Sequence, residues 1–197
     1  MKSVKRTYDV LFSIVGLILA SPVILLCIVL IRLLYNEHGL FSQERVGRGG
    51  KIFVLYKMRT MSSARAEKVE STVTTKSDIR ITKLGYYLRR SKLDELPQLY
   101  NVVMGDMSLV GPRPDVPGFA DLLEGDDRII LEVRPGITGP AQLEFRDEES
   151  LLSEQENPEE YNMTTIWPRK VEINRDYVKN WSFLKDFVYV FKTVLGV

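Results

Sequence analysis

The chain has 197 residues, of which 45% are apolar and 27% charged, with a formal net charge of +1. The length suffices for one domain with a core, the composition is that of a folded protein, and the near-neutral charge gives no indication of a nucleic-acid partner. The single cysteine, Cys27, excludes an internal disulfide, and the single histidine, His38, disfavours a zinc site or a serine–histidine triad.

Residues 10–34 form a long apolar segment that contains one charged residue, Arg32. Three interpretations compete. A signal peptide cleaved near Ala20 is disfavoured, because the apolar run continues past that point. A transmembrane helix is the simplest interpretation, since a helix of this length exceeds the hydrocarbon thickness of about 30 Å.

The third interpretation is a re-entrant helix that is broken at Ser21 and Pro22. Proline disrupts a helix, and each half would have about 12 residues, too few to span a bilayer. The carbonyls freed at the break could accept hydrogen bonds from Ser21 or Ser13. Cations flank both ends, which favours both ends on the cytoplasmic face; they are Lys2, Lys5, Arg6, Arg32, Arg45 and Arg48. The residues leave the spanning and re-entrant paths open.

A β-hairpin is predicted next. Gly47, Gly49 and Gly50 indicate a turn, and the segment that follows, residues 51–59, has the composition of a strand. Lys57 and Arg59 lie on one face of that strand, where they either contact a diphosphate or are solvated. Residues 62–77 indicate a short helix and a loop. A further helix is predicted to end at Arg89 and Arg90, where cations favour the helix dipole.

The segment of residues 91–114 has the residues that phosphoryl chemistry requires. Ser91 could cap a helix that carries Asp94 and Glu95, which keeps a carboxylate ionised for nucleophilic attack or metal binding. Adjacent helical side chains diverge by about 100°, so one shared site requires a kink or a shared metal. Two acids with substrate phosphates are a common set of Mg²⁺ ligands. Arg113 lies between two prolines that restrict its backbone.

The remainder is predicted to be mainly helical. One helix, broken near Gly125, is expected in residues 115–132, followed by a turn-rich loop at 133–139 with Arg134 at its centre. Residues 145–162 are acidic and suggest a surface insertion. Two helices follow, at 167–180 and 183–195. The apolar stripe of the last helix indicates either core packing or contact with the membrane interface.

Four motifs in this order resemble those of the bacterial sugar transferases, and in particular the small monotopic polyprenol-phosphate phosphoglycosyl transferases. They are KMRTM at 57–61, LDELPQLYNV at 93–102, GDMSLVGPRP at 105–114 and RPGITG at 134–139. The resemblance covers nearly the whole chain, including the apolar segment with its Ser-Pro. One departure is Asn174, where many relatives carry an aspartate.

The resemblance implies transfer of a sugar-1-phosphate from a UDP-sugar to undecaprenyl phosphate, with release of UMP. It assigns Asp94 as the nucleophile that forms an aspartyl-phosphosugar, and Asp94 and Glu95 as the catalytic dyad that holds Mg²⁺. Arg113 is expected to bind a phosphate, and Lys57, Arg59 and Arg134 are weaker candidates for the same anion. The product would be the first membrane-bound intermediate of a glycoconjugate.

The expected fold is α+β, mostly helical with a few short strands. Residues 1–35 are expected to form a re-entrant membrane segment, because the resemblance favours the re-entrant path over the spanning one. Residues 36–197 are expected to form a catalytic domain on the cytoplasmic face of the bacterial inner membrane, with interfacial amphipathic helices. The partners are a UDP-sugar, undecaprenyl phosphate and the lipid bilayer; oligomeric state is left open. Two other hypotheses are a scaffold that has lost catalysis and a spanning protein with a regulatory domain.

Overall fold

The computed structural model describes residues 2–66, 74–75 and 78–196. Its longest element is helix α1, Lys2–Tyr35, which contains Pro22. Pro22 has no N–H to donate to the carbonyl four residues earlier, that of Ile18. The Ser21 hydroxyl donates to Ile18 O instead, at 2.8 Å. The helix is continuous through Ser21 and Pro22, without an interruption at the expected break.

One face of α1 packs on the rest of the protein and the other is exposed. Cys27 and Ile31 form a core cluster with Met58 and Leu88. Nearer the N-terminus, Gly16 approaches the side chain of Leu99. In the described residues, one helix is long and apolar enough to cross a membrane, with 11% of its most apolar window buried. The uncovered face is therefore an apolar surface suited to contact with a membrane or another protein; its most exposed apolar side chains are Leu33, Leu19, Ile18 and Val4.

The first turns of α1 are tied to distant parts of the chain by charged groups. Lys5 Nζ lies 2.6 Å from Asp186 Oδ2, and the Ser108 hydroxyl donates to Asp9 Oδ2 at 2.7 Å. Arg6 donates to the carbonyl of Val102 at 2.6 Å. Because Asp9 and Asp186 are buried, these contacts fix the helix start against the domain.

The predicted hairpin is confirmed. Strands β1, Leu40–Val46, and β2, Ile52–Met58, pair antiparallel around a 3-10 turn at Arg48–Gly50. Phe41 lies opposite Lys57 in this register. Helix α2, Ser63–Ala66, corresponds to the predicted short helix. The loop predicted after it falls mostly outside the described residues.

Helix α3, Lys83–Arg90, follows, and the Thr82 hydroxyl caps it by accepting a hydrogen bond from Gly85 N at 2.9 Å. Gly85 is required here, since a Cβ at this position would lie 2.0 Å from Thr60 O. This close approach brings the last turn of α3, with Arg89, beside the end of β2.

Helix α4, Gln98–Met104, is fastened to β2 by one buried side chain. Asn101 Nδ2 donates to Val54 O at 2.7 Å, and Tyr56 N donates to Asn101 Oδ1 at 3.1 Å. Asn101 thus satisfies backbone groups that face away from β1. The helix ends at Gly105, whose φ of 101° favours glycine.

The middle of the chain follows one expectation and departs from another. The helix expected in residues 115–132 and broken near Gly125 is present as two 3-10 helices, Ala120–Leu122 and Gly125–Glu132. Asp121 Oδ1 accepts from Gly118 N and Phe119 N, which stabilises a turn before the first of them. The expectation of a turn-rich loop at residues 133–139 is wrong in part, because this segment contains strand β4, Gly136–Thr138, parallel to β3, Ser108–Val110.

The C-terminal third is helical, as predicted, and the fold is mostly helical with a few short strands. The acidic stretch contributes α6 and α7 and the π-helix after them. The last two helices have nearly the predicted bounds. The elements are α5, Pro140–Glu144; α6, Glu148–Ser153; α7, Pro158–Tyr161; a π-helix, Asn162–Ile166; α8, Trp167–Lys179; and α9, Phe183–Leu195.

Candidate active site

The two dyad carboxylates lie on a 3-10 turn, Leu93–Glu95, between α3 and α4. Lys92, with a φ of 57°, reverses the chain before this turn. The sequence had indicated that Ser91 caps a helix that carries Asp94, but Ser91 instead ends helix α3. Its hydroxyl donates to Tyr87 O at 2.8 Å at the end of α3. A tight turn therefore brings the two adjacent acids to one site.

Asp94 is a buried carboxylate with an unused oxygen. The residue is 7% exposed, and Oδ1 has no hydrogen-bond partner among the described residues. Burial raises the pKa of Asp94 to about 6, and Glu95 adds to the rise, while Lys57 and Arg89 oppose it. An unpaired buried carboxylate is unstable unless a ligand compensates it, so this oxygen is the best candidate for bond formation or metal binding.

Glu95 is held by Arg113. Arg113 Nη2 donates to Glu95 Oε1 at 2.8 Å. Burial alone would raise the pKa of Glu95, but Arg113 outweighs it and lowers the pKa. The Arg113 side chain is 46% exposed, so part of the guanidinium can still reach a ligand. The structure thus brings together three of the predicted residues: Asp94, Glu95 and Arg113.

Lys57 also belongs to this group. Burial lowers its pKa to about 8, with further lowering by Arg113, Arg45 and Arg89. Its ammonium lies 5.4 Å from the centroid of the Phe41 ring. Within the described ranges no carboxylate lies within 4.0 Å of it. A poorly solvated ammonium without a counter-ion is suited to an anionic ligand.

The other two predicted anion ligands have protein partners. Arg59 lies on the same face as Lys57, with its guanidinium 5.5 Å from the Phe41 ring centroid, but it donates to His38 O and pairs with Glu37. Arg134 Nε donates to Gly105 O at 2.6 Å, at the end of α4. Neither is among the main causes of the pKa shifts of Asp94 and Glu95.

Three further charged residues, which the sequence analysis did not select, surround the dyad. Arg45 is half-buried, and its buried Nε has no hydrogen-bond partner within the residues that the structure describes. Burial together with Arg113 lowers the pKa of Arg45 to about 10. Arg89 acts on both Asp94 and Lys57. Burial raises the pKa of Asp115 to about 7 despite nearby cations. Alternation along β1 could have indicated Arg45, since Phe41, Gln43 and Arg45 share one face.

A divalent cation fits the dyad only together with a substrate. The described residues contain no group of three histidine, cysteine or acidic side chains placed to hold a metal. Asp94 offers an unused oxygen, and Glu95 a second carboxylate in an ion pair. Mg²⁺ characteristically binds one or two carboxylates and completes its shell with water and substrate phosphates.

Residues 1–197, the entire chain, match the sequence profile described as bacterial sugar transferase. The chain belongs to the bacterial sugar transferase family. It is 34% identical to the exopolysaccharide production protein ExoY of Sinorhizobium fredii, over 98% of this chain and 84% of that protein. A putative undecaprenyl-phosphate N-acetylgalactosaminyl 1-phosphate transferase of Bacillus subtilis is 44% identical, over 63% of this chain and 69% of its own length.

Another relative of this sugar transferase is the undecaprenyl-phosphate galactose phosphotransferase of Salmonella typhimurium. It is 38% identical over 96% of this chain, which covers 39% of that longer protein. The family resemblance inferred from the motifs is therefore confirmed, and the chain is a transferase. By their names, these relatives comprise an exopolysaccharide production protein and two undecaprenyl-phosphate sugar phosphotransferases, one of them putative.

Proposed function

We propose that the protein transfers a sugar-1-phosphate from a UDP-sugar to undecaprenyl phosphate, and that an aspartyl-phosphosugar is formed on Asp94. UMP is the first product and an undecaprenyl-diphospho-sugar the second. The observation that carries the proposal is the buried Oδ1 of Asp94, which has no hydrogen-bond partner among the described residues, beside Lys57, whose ammonium forms no ion pair within that part of the chain. The names of the relatives support the substrate classes.

In the first step, a carboxylate oxygen of Asp94 attacks the β-phosphorus of the donor. The bond between that phosphorus and the bridging oxygen breaks, and UMP leaves with the electron pair. In the second step, an oxygen of the lipid phosphate attacks the same phosphorus, and the Asp94 carboxylate leaves. Two steps allow an aqueous donor and a lipid acceptor to use one site in turn.

The neighbouring residues stabilise the charge of the reacting phosphates. Lys57 and the exposed part of Arg113 would bind non-bridging phosphate oxygens. Glu95, already paired with Arg113, keeps the guanidinium oriented. Asp94 and Glu95 would hold Mg²⁺, which offsets the diphosphate charge when bound.

The packing of α1 supports a monotopic, re-entrant placement on the cytoplasmic face of the bacterial inner membrane. A straight helix of 34 residues is about 50 Å long. Yet Lys5 contacts Asp186 near its start, and Ile31 packs on Met58 near its end. Both ends of α1 therefore contact the same domain. This favours a placement in which both ends lie on one side of the membrane.

Helix α9 supplies a second surface suited to the bilayer. Its outward side chains are apolar and exposed; they include Leu184, Phe191, Val194 and Leu195. Phe183 and Phe187 of α9 pack on Tyr8 of α1. The apolar surface of α9 is thus continuous with that of α1, as expected for an interfacial helix.

Contact of α9 with lipid can be tested with an environment-sensitive fluorophore on single cysteines in a Cys27→Ala background. In liposomes, a probe at Leu184 should show blue-shifted emission. The neighbouring Lys185, outside the apolar stripe, is the matched control and should show emission typical of water. Equal emission at the two positions would reject the interfacial placement.

The covalent step can be tested without the acceptor. Incubated with Mg²⁺ and a panel of UDP-sugars, the purified protein should release at most one UMP per active site, and mass spectrometry should show the phosphosugar adduct. Asp94→Asn should release none. Turnover that requires both substrates bound together, or UMP release by folded Asp94→Asn, would contradict the mechanism.

A further inference from the structure

The acidic helix α6 lies against the cations of the candidate active site. Glu149 Oε1 forms an ion pair with Arg89 Nη2. The preceding residue, Glu148, lies 2.6 Å from Lys170 Nζ, and its charge acts on both Arg113 and Asp115. The first turn of α6 therefore borders the site on more than one side, although the sequence had indicated only a surface insertion.

Arg89 is positioned as part of the site and not merely as a surface cation. Its Nη1 donates to Thr60 Oγ1 at 3.3 Å, at the end of the strand that carries Lys57. Its charge acts on both Asp94 and Lys57. An anion that contacts Lys57 beside Asp94 would thus also be attracted to Arg89.

The counter-ion of Arg89 differs from that of Arg113 in exposure. The Glu149 side chain is 41% exposed, whereas the Glu95 side chain that pairs with Arg113 is 13% exposed. Solvent-exposed ion pairs contribute little to stability and exchange readily. Glu149 can therefore leave Arg89 at low cost, while Glu95 stays in place.

We propose that Glu149 is a displaceable counter-ion that occupies Arg89 until a phosphate group of the donor replaces it. This inference rests on the proposed function, because it assumes a nucleotide diphosphate ligand. A diphosphate carries more charge than one carboxylate and so can displace it. Glu149 would then weaken the binding of all phosphate anions at this site, and it would return to Arg89 when the product departs.

The test is the affinity for inorganic pyrophosphate, measured by isothermal titration calorimetry with Mg²⁺ on the full chain. Glu149→Gln should lower the Kd by about three- to five-fold, the range expected from removing one exposed competing charge. Glu154→Gln is the matched control, because Glu154 is an exposed acid at the end of the same helix. It removes the same charge and should leave the Kd unchanged.

A double-substitution cycle distinguishes displacement from a general change in charge. In an Arg89→Gln background, Glu149→Gln should give no further gain in pyrophosphate affinity. Unchanged or weaker binding by Glu149→Gln, or the same gain in Glu154→Gln, would overturn the inference. Its failure is distinct from failure of the proposed function. Absence of UMP release from every UDP-sugar would reject the latter, whatever the pyrophosphate affinities are.

Discussion

At the scale of single residues, the site combines oppositely charged groups that are poorly solvated. Asp94 is buried with an oxygen that has no hydrogen-bond partner in the described part of the chain, and Lys57 is poorly solvated and forms no ion pair there. Each arrangement destabilises the unliganded protein; a bound cation would compensate Asp94 and a bound phosphate would compensate Lys57. Glu95 and Arg113 satisfy each other. Asp94 and Lys57, the two groups expected to contact substrate, are thus the ones whose charges lack compensation in the unliganded protein.

The pH dependence of kcat/KM is expected to be bell-shaped. Asp94 must be ionised to attack, so activity should rise as pH increases through about 6. Lys57 must be protonated to bind phosphate, so activity should fall as pH increases through about 8. Lys57→Arg should remove the alkaline limb, because arginine stays protonated. An alkaline limb unchanged in that variant would show that another group titrates.

Asp94→Asn is expected to abolish turnover but to stabilise the fold. The pKa of Asp94 is higher in the folded protein than in the unfolded chain. The folded state therefore loses stability relative to the unfolded state as pH rises from about 4 through about 6. At pH 7 the variant should gain about 1–3 kcal/mol, seen as a higher melting temperature in detergent. Below pH 4 the difference should vanish. A melting temperature lower than wild type at pH 7 would contradict this account of Asp94.

At the scale of elements, the site depends on how α3 and α4 are attached to the β1–β2 hairpin. Gly85 allows α3 to approach the end of β2, and Asn101 bonds α4 to the backbone of β2. These two attachments place the turn that carries Asp94 beside Lys57. The motif residues around the dyad thus serve packing as much as chemistry.

Asn101→Ala is expected to destabilise the protein by about 2–4 kcal/mol. The substitution leaves Val54 O and Tyr56 N without their partner, and unsatisfied buried backbone groups are costly. Chemical denaturation in detergent should show the loss. Asn180→Ala, at an exposed residue that ends α8, is the control and should change stability by less than about 0.5 kcal/mol. Equal losses in both variants would reject this role for Asn101.

At the scale of the whole molecule, the long apolar helix and the domain form one packed unit. Buried ion pairs hold the start of α1, and the cluster of Cys27, Ile31, Met58 and Leu88 holds its end. The exposed faces of α1 and α9 then form the apolar surface of the molecule. Leu93 and Leu96, which flank Asp94 and Glu95, pack against the same cluster, so the candidate site adjoins α1.

The start of α1 and the catalytic domain are expected to be accessible from the same side of the membrane, the cytoplasmic side. In a Cys27→Ala background, single cysteines at Val4 and at Asp126, which are 63% and 87% exposed respectively, should react with an impermeant maleimide in inverted vesicles. Neither should react in intact spheroplasts. Reaction of Val4→Cys from the periplasmic side would instead indicate a spanning helix.

The sequence by itself determined the family, the apolar segment and the hairpin that carries Lys57, and it selected Asp94 and Glu95 as candidate catalytic residues. These depend on ordered motifs and on periodicity within a few residues, which local patterns record. Only the tertiary structure decided which cation meets which acid. Arg113 and Glu95 are 18 residues apart and Arg89 and Glu149 are 60 apart, while Arg134 binds Gly105 O and not the dyad. Such pairings depend on how distant elements pack, and no spacing along the chain encodes them.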